Sequence, residues 1–245
     1  VDISSHGFGH LAQVAPILSE LAKVLPKLRL TIRCGLPLDK LRARIHADFT
    51  HIAGRSDFGF VMFDAVSIDL AATAQAYRTQ HADWAQRVAA EAQQLKTLAP
   101  DLVLTDVAYL PLAGAAQAGI AALSMCSLNW ADLFAHFFLH EPWAKSIYAE
   151  ILAAYRSADL FLRLTPAMPM PALPKQRAIA PVAALGRDRR AELRAKLACP
   201  PDEKLVLIAF GGFDKDLGAE HWPQNPGVRW LIPASWPIAR PDMTP

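Results

Sequence analysis

From the first residue, short apolar runs alternate with segments of helical hydrophobic period, and this alternation constrains the fold more than any other feature. VDIS (1–4), LRLTIRC (28–34), FTHIA (49–53), FGFVMF (58–63), DLVLT (101–105), AALSMC (121–126) and DLFLRL (159–164) read as strands. Between them, Leu11, Val14, Leu18, Leu21 and Leu25 recur at helical spacing. Pro16 removes an N–H inside that pattern, so the regular helix is expected to start late or to kink there. Residues 70–98 read as one long Ala/Gln-rich helix with Trp84, Val88, Leu95 and Leu98 inward, stopped by Pro100; 110–118 and 130–156 read as further helices. Strands separated by helices form a mainly parallel sheet covered on both faces, an α/β fold.

The organisation changes after Thr165. Prolines at 166, 169, 171, 174 and 181 cannot continue a helix or a central strand. The expected division is therefore a first domain over 1–165, a Pro-rich linker over 166–186, and the start of a second domain over 187–245. That second part holds a basic helix (RDRRAELRAKL, 187–197) and a strand (LVLIAF, 205–210) running into Gly211-Gly212. The chain opens on Val1 in mid-strand and closes on WPIARPDMTP without a final helix, so the expectation is a fragment.

Charge and cysteine content exclude several classes. Lys+Arg 25 against Asp+Glu 23 leaves +2, with none of the basic excess of a nucleic-acid binder. Cys34, Cys126 and Cys199 are odd in number and far apart, which excludes a disulfide framework and a CxxC zinc site and points to a reducing cytoplasm. Val107–Ala131 is uncharged, but Pro111, Gly114, Gln117, Gly119 and Asn129 interrupt it. It reads as a helix and a buried strand, not a membrane span.

Four motifs carry chemistry. SSHGFGH (4–10) joins the opening strand to its helix, and its glycines Gly7 and Gly9 leave backbone N–H groups and a positive helix end free to face a ligand. His6 and His10 stand four apart, but the glycines around Phe8 oppose a regular helix there and no third ligand is evident, so no metal is expected. His10 is either a loop histidine or a base. Asp106, at the end of DLVLT, is either a helix cap or the carboxylate that orients His10. Gly211 and Gly212 suit a tight turn or a close approach to a diphosphate. In SLNWADLF (127–134), Asn129 and Trp130 are either core residues or a pocket wall.

HGFGHLAQV, DLVLTDV with AAQAGI, SLNWADL, FLRLTPAMPMPALP and RRAELRAKL…KLVLIAFGG, in that order, resemble GT-B glycosyltransferase-like proteins. The likeness is nearest to the glycosyltransferase-like N-terminal region of plant L-arabinokinases and its stand-alone bacterial relatives. It implies a GT-B-like architecture: a complete N-terminal Rossmann-like domain and the truncated start of a second. It also implies inverting, metal-independent transfer of a sugar from a nucleotide-sugar donor, as substrate and with no cofactor, to an acceptor hydroxyl of unknown identity. His10 would be the base, Asp106 its partner, Gly7, Gly9, Gly211 and Gly212 the donor-phosphate contacts, and Asn129 and Trp130 the acceptor pocket. The 245-residue chain itself is expected to be close to inactive, because it supplies little of the donor domain. Pro16 departs from the arabinokinase-like pattern, and no galactokinase-type motif is present. A non-catalytic sugar-nucleotide or glycolipid binding module and a sugar-nucleotide epimerase are the alternatives. No transmembrane segment is expected, with peripheral membrane contact left open.

Overall fold

The computed structural model describes residues 1–210 and 215–245, and the chain divides into two compact units, residues 1–61 with 68–184 and residues 62–67 with 185–245. The first unit runs α1 (Phe8–Val24), β1 (Leu30–Cys34), α2 (Leu38–Arg42), β2 (Phe49–Ala53), α3 (Leu70–Ala82), α4 (Trp84–Leu98), β3 (Val103–Thr105), α5 (Leu110–Ala118), β4 (Ala122–Cys126), α6 (Trp130–Phe138), α7 (Ala144–Arg156), β5 (Leu160–Leu164) and β6 (Gln176–Ile179).

Every strand pairing is parallel: β1 with β2, then β3, β4, β5 and β6 in sequence. Asp2 joins the two groups, bridging Arg33 on β1 and Thr105 on β3. Its N–H donates to the Leu104 carbonyl at 2.8 Å, and the Ile3 N–H to the Arg33 carbonyl at 3.0 Å. Residues 1–3 thus form the middle of the sheet. The Arg33 guanidinium clamps this centre, reaching the Asp2 carboxylate on one side and both Glu91 oxygens of α4 on the other (2.9 and 2.6 Å). One hydrophobic core gathers Ile3, Leu11, Val14, Leu18, Ile32 and Leu41. A second layer is aromatic, with Tyr77, Phe134 and Tyr155 among the largest fully buried side chains.

Several local expectations need correction. Helix α1 begins at Phe8 and continues through Pro16. Gly9 falls in the first turn, where N–H groups have no intrahelical partner, and Leu11, Val14 and Leu18 supply burial that outweighs the one bond Pro16 removes. FGFVMF is not a strand: the chain turns at Gly59 (φ 63°), burying Phe60 and leaving Phe63 73% exposed. The span 70–98 is two helices broken at Asp83, because α4 packs on α5 whereas α3 faces α7; Leu98 is 44% exposed. Likewise 130–156 divides around Pro142, which cannot continue a helix. The Pro-rich stretch holds the edge strand β6, between Pro174 and Pro181.

The second unit contains α8 (Arg190–Lys196), β7 (Lys204–Leu207), a 3₁₀ turn at Ala219–His221, β8 (Val228–Leu231) and β9 (Met243–Thr244). Its strands form a parallel sheet in that order over a small core of Ala219, Ile232, Trp236 and Met243. Gly211 and Gly212, expected near a donor phosphate, lie outside the described residues.

Candidate functional site

The order of the sheet reverses between residues 1–3 and β3, since β1 and β2 lie on one side and β4 to β6 on the other. Beyond the carboxyl ends of these two central strands is the crevice in which doubly wound sheets bind ligands. The sequence delivers one candidate side chain to it after each strand. His10 comes from the first turn of α1, and Asp106 follows Thr105 directly.

Gly7 caps α1 with φ 82° and ψ 172°, a backbone state open mainly to glycine, and no side chain caps the helix. Phe8 and Gly9 are exposed, and a Cβ added at Gly9 meets nothing within 4 Å. The start of α1 is therefore exposed at Phe8 and Gly9 and carries no side-chain cap, an arrangement that suits an anion.

His10 and Asp106 are both buried, and His10 Nδ1 lies 2.6 Å from Asp106 Oδ2. The two atoms meet off the line of the ring N–H, so the contact is an ion pair by proximity, not an aligned hydrogen bond. The other carboxylate oxygen accepts from the Ser4 N–H at 3.0 Å and the Val107 N–H at 2.6 Å. Asp106 is thus held by the backbone of both central strands and turned toward His10. Burial drives the imidazole toward neutrality, but the Asp106 charge and contact, aided by Cys126, outweigh it and hold the His10 pKa well above the usual histidine value.

Trp130 forms the wall behind the pair. Its ring centroid lies 6.0 Å from His10 and 5.4 Å from His6, and its Nε1–H donates to Asp57 Oδ2 at 2.7 Å. Asn129 places it: the Asn129 side chain accepts from the Asp132 N–H at 2.8 Å and starts α6, and Asn129 is fully buried. His6 Nε2 contacts the Phe60 carbonyl at 3.1 Å. Gly59 lets this loop close, since a Cβ there would stand 2.8 Å from both His6 and Trp130.

Asp57 was not legible as a site residue, because nothing in GRSDFGF marks it; only the closure of the loop at Gly59 brings it beneath Trp130. Burial and the nearby Asp106 charge push its carboxyl up to about 7. Among the described residues, no group of three or more His, Cys, Asp or Glu is placed to hold a metal ion, and His6 and His10 stand 6.5 Å apart by ring centroid. No described helix is long and apolar enough to cross a membrane.

Comparison with known proteins follows this geometry. No protein-family model matches the chain. The L-arabinokinase of Arabidopsis thaliana is 25% identical over 221 residues, covering 86% of this chain and 20% of that protein. The chain thus spans about a fifth of the length of this relative. Among solved structures, the glycotransferase of kitacinnamycin superposes with a TM-score of 0.54 at 13% identity, over 99% of this chain and 69% of its own. The chain is GT-B glycosyltransferase-like in fold. The spinosyn forosaminyltransferase SpnP gives 0.50 at 12% identity, covering 99% and 68%.

Proposed function

We propose that this chain carries the acceptor-activating half of a glycosyltransferase that moves a sugar from a nucleotide-sugar to a hydroxyl. The observation that carries the reading is the buried His10–Asp106 pair at the sheet's switch point, beside an uncapped helix N-terminus. With Asp106 facing Nδ1, the other ring nitrogen, Nε2, is the one left to take a proton from an acceptor hydroxyl while that oxygen attacks the anomeric carbon. The Asp106 charge stabilises the imidazolium that results. Gly7 and Gly9 would let the α1 amides approach the departing diphosphate, Trp130 would form the acceptor wall with Asn129 fixing its place, and Gly211-Gly212 would serve the donor. The chemistry needs no resident cofactor.

A second reading has its own support. An imidazole held in its charged form next to a helix N-terminus is also a good anion site, which fits a module that binds a sugar nucleotide without turnover. Thermal melts of a full-length protein that carries the donor half, with UDP-, GDP- and TDP-sugars, followed by assays with radiolabelled donor, separate the two. Stabilisation by a nucleotide-sugar with label appearing in a new glycoside supports transfer. Stabilisation alone supports the binding module, and neither response to any donor refutes both.

A further inference from the structure

Behind the Asp57 loop lies a small, partly open cavity whose walls include Asp57, Gly59, Tyr77, Gln80, Trp84 and Tyr109, with about 10 Å³ available to the centre of a water-sized sphere. That is room for one water. Its walls carry an unresolved polar account. Tyr77 is 1% exposed, and its hydroxyl has no hydrogen-bond partner among the described residues. Asp57 uses Oδ2 for the Trp130 indole, and Ser4 also hydrogen-bonds its carboxyl.

The neighbouring contacts fix what Tyr109 offers. His81 Nδ1 lies 2.7 Å from Glu150 Oε2, and His81 Nε2 lies 2.9 Å from the Tyr109 hydroxyl. Burial, opposed by Glu150, lowers the His81 pKa and keeps the ring neutral. The glutamate then accepts from Nδ1–H, so Nε2 must accept from the tyrosine, which leaves the Tyr109 oxygen free to accept a second bond. Among its aromatic and acidic walls the cavity therefore presents one unused donor, the Tyr77 hydroxyl, and two acceptors, Tyr109 and Asp57, with the Gln80 amide also bordering it. A water molecule supplies the complementary set.

We propose that this cavity holds one ordered water, accepting from the Tyr77 hydroxyl and donating to Tyr109 and Asp57, and that the water makes Asp57 the positioning residue for Trp130 at the candidate site. The water anchors the carboxyl from behind while the indole N–H binds it in front. The Trp130 ring, and with it the wall against His6 and His10, is then set by Asp57. The inference does not depend on which reaction the site performs.

Two variants and one direct measurement test it. In a dry cavity the Tyr77 hydroxyl is an unpaid desolvation penalty, and Tyr77→Phe should match or exceed wild-type stability. With the water present, Tyr77→Phe strips it of its donor, and the folded-to-unfolded ratio should fall by a factor of about 5–30. Water-to-protein NOEs at the Tyr77 ring should show a long-lived water in the wild type and none in the variant. For the positioning role, the Trp130 indole N–H resonance is followed against pH. The other charged or ionisable side chains around it are Asp2 and Asp106 from the central strands, His6 and His10 beside the ring, and His81 behind the cavity. The expected wild-type profile contains a step with its midpoint about 7, from Asp57, that disappears in Asp57→Asn while the histidine steps remain. A Tyr77→Phe protein as stable as wild type, or the absence of that NOE, overturns the water. A wild-type indole signal without the step, or a step that survives in Asp57→Asn, overturns the positioning role.

Discussion

Replacing Asp106 separates the two jobs its carboxylate performs. Asp106→Asn keeps an oxygen for the Ser4 and Val107 amides but puts an uncharged NH₂ against His10 Nδ1. The loss is one buried charge–charge contact, comparable in size to a hydrogen bond to a charged group at about 1.5–3 kcal/mol, or about 3–12 °C in Tm for a domain of 150–250 residues. Asp106→Ala also strands two buried N–H groups at about 1–3 kcal/mol each. Its total of about 4–9 kcal/mol approaches the whole stability of a typical domain. The pH dependence has a definite sign. His10 has a raised folded pKa, so its pairing stabilises fully below the unfolded value of about 6.5 and fades as pH rises through the folded one. Denaturant unfolding at pH 5.5 should therefore show a wider gap between wild type and Asp106→Asn than unfolding at alkaline pH. NMR titration of the imidazole should find His10 above the usual histidine range in the wild type and below it in Asp106→Asn, where burial is opposed only by the smaller contribution of Cys126. Equal stability of the Asn and Ala variants, or an unmoved His10 midpoint, would refute the reasoning.

In an intact, active protein, assayed at a pH above the His10 midpoint where the wild-type ring is already neutral, His10→Ala should lower kcat by about 10²–10⁴ with little change in donor affinity, and adding Asp106→Asn should cost almost nothing more, as steady-state kinetics of the double-mutant cycle would show. Asp57 has a carboxyl raised from 3.8 to about 7, so its ionisation opposes folding progressively from about pH 4 to 7; at 1.36 kcal/mol per unit the penalty reaches about 4 kcal/mol. Asp57→Asn should therefore match the wild type near pH 4 and exceed it at pH 8 in denaturant unfolding. Turnover should survive excess chelator, since helix-terminal amides are proposed to meet the phosphate charge; activity lost with chelator and restored by manganese would instead direct attention to the Asp214-Lys215-Asp216 sequence.

The alternation of strands and helices, and the placing of His10 after the opening strand and Asp106 at the end of β3, were legible because both follow from short-range pattern. A parallel sheet puts every strand's carboxyl end on one edge, so residues 96 positions apart meet once topology is known. Helix ends were less legible. Asp83 breaks an Ala/Gln-rich run of good helix formers because the packing partners change from α7 to α5, and a single run of sequence does not display its partners. The aromatic run at 58–63 reads as a strand because alternation alone cannot tell a sheet from a loop that buries Phe60, half-buries Phe58 and exposes Phe63. Asp57 was invisible for the same reason: its environment is assembled entirely from distant segments.

A base must be neutral to accept a proton, yet His10 is held toward its charged form, and the conflict yields the sharpest distinction between the two readings. The Asp106 charge that raises the pKa also makes the imidazole a stronger proton acceptor once it is neutral. The free protein therefore trades occupancy of the reactive form against strength. Raising pH restores the neutral form, so a transferase should gain kcat/KM along a single ascending limb whose midpoint is the His10 value, above the usual range for histidine. The same deprotonation removes a positive charge beside the α1 N-terminus, and affinity for an anionic donor should fall over the same interval. Opposite trends in turnover and binding, governed by one titration that NMR assigns to His10, are the mark of the base. A binding module shows only the falling affinity. A pH-independent affinity together with a pH-independent rate would mean that His10 serves neither role.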